Sequence, residues 1–223
     1  MIDFNKISTI IFDFGGVIID LNREKSLAEF EKIGLLDTAK MLDNFLPVDI
    51  FMQLEIGKLS EDEFLEKLIL RSTQNPTKEQ VKAAFLSFLQ DIPVQKLDLI
   101  LELKKHFKIL LLSNTNLIHF AWCKKEKFNY NGLNINDFFD KCYLSYEQKT
   151  AKPENKIFEI LLQEQNIKAA ECLFFDDSPA NIATAKSLNF NTILVDTKED
   201  LRKYFREYYK HIEAKRRFDI CNC

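Results

Sequence analysis

The sequence predicts an α/β protein: a doubly wound parallel sheet with a small all-α domain inserted after the first strand. Three observations carry this. After Pro93, short β-branched apolar runs alternate with helical stretches, as parallel strands joined by crossover helices require. Three apolar runs stop abruptly in polar residues, at Asp13, at Ser113-Asn114 and at Asp176-Asp177-Ser178. Between Asn22 and about Gln90 the apolar spacing is purely helical.

The first strand runs through Ser8-Thr9-Ile10-Ile11-Phe12 into Asp13, then Phe14-Gly15-Gly16 and a second apolar run, Val17-Ile18-Ile19. A strand buried on both faces has no reason to end in a lone carboxylate, whose desolvation is costly unless a cation or several donors meet it. Gly15 and Gly16 permit a sharp turn and a close backbone approach to a ligand. Taken alone, the segment also reads as an ordinary strand-to-turn Asp.

In the insert, helical spacing links Leu27, Phe30 and Ile33, then Phe64, Leu65 and Leu68, then Val81, Phe85 and Phe88. Breaks at Gly34, Pro47, Gly57 and Asn75-Pro76 divide it into four or five short helices. Ser60 to Glu63 and Thr77 to Gln80 are capping boxes, predicting helix starts near Glu61 and Lys78. Phe51, Phe64 and Phe85 are expected to form the core of the insert rather than a substrate platform. The division is therefore 1–20 with 92–223 for the sheet domain and 21–91 for the helical one.

Beyond Pro93 the elements follow in turn. A helix over Leu97–His106 precedes the strand Lys108–Leu112, which stops at Ser113-Asn114-Thr115-Asn116. A helix from Leu117 to Lys127 leads to a polar loop, Asn129 to Asn136. A strand near Cys142-Tyr143-Leu144 is followed by a helix from Glu154 to Gln165 and the strand Cys172–Phe175. The last elements are a helix from Pro179 to Leu188, a strand from Thr192 to Val195 and an amphipathic helix from about Lys198 to Arg216. Leu201, Tyr204, Phe205 and Tyr208 share one face of that helix and are expected to pack on the sheet, or in a dimer contact. Monomer and homodimer are both compatible.

Composition narrows the class. The chain of 223 residues is 46% hydrophobic with a formal net charge of -3, giving no electrostatic footprint for nucleic acid. No apolar run is long enough to span a bilayer. The first strand begins within a few residues of Met1, leaving no room for a signal segment, so a cytoplasmic protein is expected. Cys123, Cys142, Cys172, Cys221 and Cys223 form an odd, dispersed set that reads as free thiols, and the terminal pair lacks further ligands for zinc.

In an open α/β sheet, ligands bind at the carboxyl ends of the strands, so the three polar ends are expected to converge. Asp13 with Asp176 and Asp177 makes an oxygen-rich cluster that repels itself without a hard cation, and Mg²⁺ fits best. Asp177 or Ser178 capping the helix opened by Pro179 is the alternative, although one cap does not need two acids. Lys152, just before Pro153-Glu154, is a surface residue taken alone. Beside the acids it becomes a partner for Asp13 and a point charge for a phosphate oxygen. The Ser113 hydroxyl and the amides of Asn114 and Thr115 are candidate donors to phosphoryl oxygens, compatible with capping the helix at Leu117.

Four segments, IIFDFGGVIID, LLSNTN, Lys152-Pro153 and LFFDDSPANIATAKSLNF, resemble in order and spacing the motifs of the haloacid dehalogenase-like (HAD-like) hydrolases. The resemblance covers nearly the whole chain, with the insert where that family places a small cap domain. It implies that Asp13 attacks a small-molecule phosphate ester to form an aspartyl-phosphate. It further implies Mg²⁺ held by Asp13, the Gly15 carbonyl and Asp177, with Asp176 helping directly or through water. Ser113 and Asn114, with Gly15 and Gly16, would hold the transferred group, and Lys152 would neutralise it.

The resemblance has one departure. The family usually has a second Asp two residues after the nucleophile, as general acid and base; here that residue is Gly15. Such a group contributes about 10²–10⁴-fold. A phosphatase for esters with good leaving groups needs it less, and the DFGG-type first motif resembles the subgroup with sugar-1-phosphate phosphatases. Glu55 and Lys58, flanking Gly57, are candidate proton sources or solvated charges. Two other readings stay open: a metal-independent 2-haloacid dehalogenase, a class that also lacks the second Asp but carries neutral polar residues in the fourth motif, and a non-catalytic binding module on the same fold.

Overall fold

The computed structural model describes residues 2–38 and 50–210, so Pro47, Cys221 and Cys223 lie outside the described residues. Its centre is a five-stranded sheet, parallel throughout, in the order β3-β2-β1-β4-β5. The strands are β1 (Thr9–Phe12), β2 (Lys108–Ser113), β3 (Lys141–Leu144), β4 (Cys172–Asp176) and β5 (Asn191–Leu194). From β1 the chain steps outward through β2 to β3, then returns to the other side of β1 for β4 and β5. The first strand is therefore central, and the ends of β2 and β4 flank it.

Period-two alternation assigns the strand residues to two layers. Ile10, Phe12, Ile109, Leu111, Leu173 and Phe175 join one apolar cluster, whereas Ile11, Leu110, Leu112, Cys172 and Phe174 join another. Of the helices, α1 (Arg23–Lys32), α2 (Ile50–Glu55), α3 (Glu61–Ile69) and α4 (Lys78–Leu86) come before residue 90. Those that follow are α5 (Val94–Leu103), α6 (Leu117–Glu126), α7 (Ile135–Phe138), α8 (Ser145–Gln148), α9 (Asn155–Gln165) and α10 (Pro179–Ser187). Leu97, Ile100 and Leu103 of α5 cover the first layer, together with a 3-10 turn over Leu201–Phe205 whose Phe205 stacks on Phe175 at 5.1 Å. Ile157, Phe158 and Leu161 of α9 cover the second, with Ile182 and Ala185 of α10.

Helices α1 to α4 bury a cluster of their own, built on Phe30, Leu54, Phe64, Leu68, Val81 and Phe85, to which α6 adds Ile118. Both capping boxes form as predicted: the Ser60 hydroxyl accepts from Glu63 N–H and the Thr77 hydroxyl from Gln80 N–H, with reciprocal bonds from the N3 side chains. Phe64 sits between Phe51 and Phe85, with ring centroids 5.3 and 5.0 Å away.

Three elements differ from expectation. The polar loop closes into α7, because Asn134 and Asp137 form a capping box from residues other than the Ser/Thr-x-x-Glu/Gln pair. A helical turn, α8, follows β3 directly and ends at Lys149, whose φ is 57°. The last helical segment starts at Leu201 rather than Lys198, because the Asp200 carboxylate caps it by accepting from Arg202 N–H. Helix continues to residue 210, and the remainder of the predicted helix to Arg216 lies outside the described residues. Among the described residues no helix is long and apolar enough to cross a membrane.

Candidate active site

Asp13 sits one residue past β1, and its N–H donates to the Phe175 carbonyl at 2.8 Å. Since Phe12 pairs with Phe175, this extra rung brings Asp13 level with Asp176 at the end of β4. The chain then turns tightly: Phe14 N–H donates to Asp13 Oδ1 at 2.7 Å, and Gly16 N–H to the Ile19 carbonyl at 2.9 Å. Gly16 has a φ of 74°, and a Cβ there would overlap Asp177 Oδ2. Glycine is thus required twice, by the backbone and by the carboxylate that packs on it.

Lys152 is the cation of the site. Its side chain is 1% exposed, and Nζ lies 2.8 Å from Asp13 Oδ1 and 2.7 Å from Asp176 Oδ2. Asp176 also accepts from Ser178 N–H at 2.8 Å and from Asn181 Nδ2 at 3.0 and 3.1 Å. Asn114 fixes the other end of Lys152: its Nδ2 donates to the Lys152 carbonyl at 2.7 Å and its Oδ1 accepts from Lys152 N–H at 2.8 Å. A buried ion pair repays its desolvation only when its remaining donors and acceptors are met.

The donors near β2 depart from the sequence reading. The Asn114 carboxamide is committed to Lys152, so its N–H is what it can offer an anion. Thr115 N–H donates to Ser145 Oγ at 2.9 Å, which removes it from the candidate donors. Ser113 is buried, with Oγ 3.4 Å from the Asn114 carbonyl. Capping of α6 falls to Asn116, whose Oδ1 accepts from His119 N–H at 3.0 Å. At α10 the N-cap Ser178 makes no side-chain capping bond, so capping does not account for Asp177-Ser178.

Asp13, Asp176 and Asp177 each present a carboxylate oxygen, all within 4.8 Å of one another. Burial, reinforced by Asp176, pushes the Asp13 pKa up to about 7 against the pull of Lys152. Burial and then Asp176 also raise that of Asp177. Burial works against the Lys152 ammonium, but Asp13 and Asp176 outweigh it and raise its pKa. Three carboxylates against one ammonium leave a formal charge of -2 when all are ionised. A divalent cation with a preference for oxygen cancels that charge, so the donor set fits Mg²⁺.

A cavity of about 380 Å³ adjoins this cluster, lined by Phe14, Gly15 and Leu21 from the turn, by Ser113 to Asn116, and by residues of α1, α2, α4 and α6. Phe51 and Phe85, expected in the core of the insert rather than as a substrate platform, lie in that core and also line the cavity. Glu55 is in the lining; Lys58 is exposed and outside it. His119 lines the cavity too. Sequence reading passed it over, its only signal being its place three residues after the cap Asn116.

A family model described as haloacid dehalogenase-like hydrolase matches residues 7–189. The chain belongs to the haloacid dehalogenase-like hydrolases. This HAD-like hydrolase is 40% identical over 197 residues to D-ribitol-5-phosphate phosphatase of Bacteroides thetaiotaomicron, spanning 88% of this chain and 96% of that one. A HAD family enzyme of the same species, crystallised with magnesium and inorganic phosphate, superposes with a TM-score of 0.86 at 38% identity, covering 90% of this chain and 100% of that one. A predicted HAD-like family hydrolase from Porphyromonas gingivalis gives 0.82 at 37% identity over 93% and 98% of the two chains. In this HAD-like hydrolase Leu21 packs against Gly15: a Cβ on residue 15 would lie 3.1 Å from Leu21 Cδ1, a tight contact that a small shift of the Leu21 side chain would relieve.

Proposed function

We propose that this HAD-like hydrolase is a Mg²⁺-dependent phosphatase that cleaves a small sugar or polyol phosphate monoester through an aspartyl-phosphate on Asp13. The carrying observation is the cluster at the sheet's carboxyl edge, where Asp13 touches Lys152 beside two further acids. The 40% identity to a D-ribitol-5-phosphate phosphatase over most of both chains supports the substrate class.

Asp13, Asp177 and the Gly15 carbonyl would hold Mg²⁺, with Asp176 behind them. Mg²⁺, when bound, offsets negative charge on the phosphoryl oxygens. Asp13 attacks phosphorus; the new bond is Asp13 Oδ–P and the bond broken is P–O to the alcohol. Lys152 meets one phosphoryl oxygen, while Ser113 Oγ and Asn114 N–H donate to others. Water then attacks the acyl phosphate, releasing inorganic phosphate and restoring the carboxylate. The departing alkoxide takes its proton from a group other than Gly15, and Glu55 is the carboxyl group in the cavity lining. Residues 21–91 form the cap that selects the leaving group.

Phosphate release from a panel of pentitol, pentose and hexose phosphates and p-nitrophenyl phosphate, in Mg²⁺ and in EDTA, tests this. Turnover that requires Mg²⁺ and vanishes in Asp13→Asn is expected. Turnover surviving that substitution defeats the reading, and EDTA-insensitive chloride release from a 2-haloacid would replace it with dehalogenation.

A further inference from the structure

His119 is buried, titratable and unused by the chemistry above. Its Nδ1 lies 3.3 Å from Asn116 Nδ2 and its Nε2 lies 3.2 Å from the Phe85 carbonyl oxygen. The two neighbours fix its state. An amide NH₂ only donates and a carbonyl only accepts, so Nδ1 must accept and Nε2 must carry the proton. The imidazole is thus neutral, with one tautomer. It stacks on the Phe85 ring at 3.9 Å and on Phe88 at 5.9 Å.

These two bonds join different parts of the site. Asn116 closes the segment 113–116 that follows β2 and begins α6, while Phe85 lies in the last turn of α4, where the chain leaves the insert. Ile118 of α6 packs into the apolar cluster of the insert beside them. We infer that His119 is a positioning residue: it bonds Asn116 and the Phe85 carbonyl at once, so segment 113–116 takes its phosphoryl-binding geometry only while α4 is docked. The inference rests on the phosphatase reading, in which that segment holds the transferred group.

Three variants separate the two bonds. His119→Phe keeps the stack and loses both. His119→Asn keeps an acceptor for Asn116 but is too short to reach Phe85, whereas His119→Gln keeps an N–H donor for Phe85 and a carbonyl oxygen for Asn116. The measurements are calorimetric binding of inorganic phosphate in saturating Mg²⁺ and amide hydrogen exchange over 113–116, both independent of turnover. Expected are a roughly tenfold weaker Kd for His119→Asn, which loses one hydrogen bond, and at least as large a weakening for His119→Phe, which loses both, each with faster exchange, and a Kd within about threefold of wild type for His119→Gln. If His119→Phe does not fold, the Asn and Gln variants decide the matter.

An unchanged Kd and exchange rate in His119→Asn, or an equal loss in His119→Asn and His119→Gln, overturns the inference and reduces His119 to packing. Wild-type turnover separates the two claims. Absence of turnover defeats the phosphatase reading, while turnover with phosphate binding indifferent to His119 defeats this inference alone.

Discussion

Asp13 is held in a state that costs the metal-free fold. Its pKa rises from an ordinary 3.8 to about 7, so its contribution to stability is present in full below about pH 4 and lost as pH rises through 7. Asp13→Asn should therefore raise the melting temperature of EDTA-treated protein by several degrees at pH 8, and by less at pH 5, while abolishing turnover. Mg²⁺ should raise the melting temperature of wild type more than that of the variant. Calorimetric scans at the two pH values check both. Gly16→Ala should act on the neighbouring acid: the added Cβ displaces the Asp177 carboxylate, so Mg²⁺ affinity measured by titration should fall at least tenfold, and the positive φ of 74° should lower the melting temperature of the apo protein as well. Asp13, Asp176 and Asp177 were legible in sequence as polar exceptions at the ends of apolar runs, whereas Lys152, set in a polar stretch, stood out only beside those acids. The detour of the Asn114 carboxamide to Lys152 was not legible, since those residues are 38 positions apart.

At the scale of elements, two helix starts anchor the site differently. α10 begins without a side-chain cap, and Asn181 in its first turn instead bonds both oxygens of Asp176. Removing that amide in Asn181→Ala leaves a buried carboxylate short of donors, and chemical denaturation should show a loss of about 1–3 kcal/mol. α6 begins at Asn116 and carries His119, whose pKa burial lowers to about 4. A neutral buried histidine contributes its stability fully above about pH 6.5 and loses it as pH falls toward 4, because the unfolded chain takes up the proton first. Between pH 7.5 and pH 5 this group alone should withdraw about 2 kcal/mol. Denaturation midpoints for His119→Gln should show a correspondingly flatter acid limb. Capping boxes at Ser60 and Thr77 could be read directly, being local pairs three residues apart. The Asn134 box and the short α8 escaped because their residue types carry weaker signals.

For the whole molecule, one of the contacts between the helices before residue 90 and the rest of the chain lies at Gly57. Lys149 Nζ donates to the Gly57 carbonyl at 2.8 Å, and a Cβ on Gly57, whose φ is 63°, would overlap the Tyr146 carbonyl and the Lys149 ammonium. Gly57→Ala should pry this turn of the insert away from α8. KM for a pentitol phosphate should rise severalfold, with a smaller change for p-nitrophenyl phosphate, whose good leaving group depends less on the cavity; steady-state kinetics on both substrates checks the difference.

The sequence by itself determined the class of fold, the succession of the strands and the longer helices, and which side chains end the apolar strands, because period-two and helical patterning and strand-end polarity are written locally. Only the tertiary structure decided that Thr115 N–H is taken by Ser145, that Leu21 stands beside Gly15, and that Phe51, Phe85 and His119 face the cavity as well as a core. Those outcomes depend on which distant segments become neighbours once the parallel sheet brings its carboxyl ends together, and local propensity carries no record of such partners.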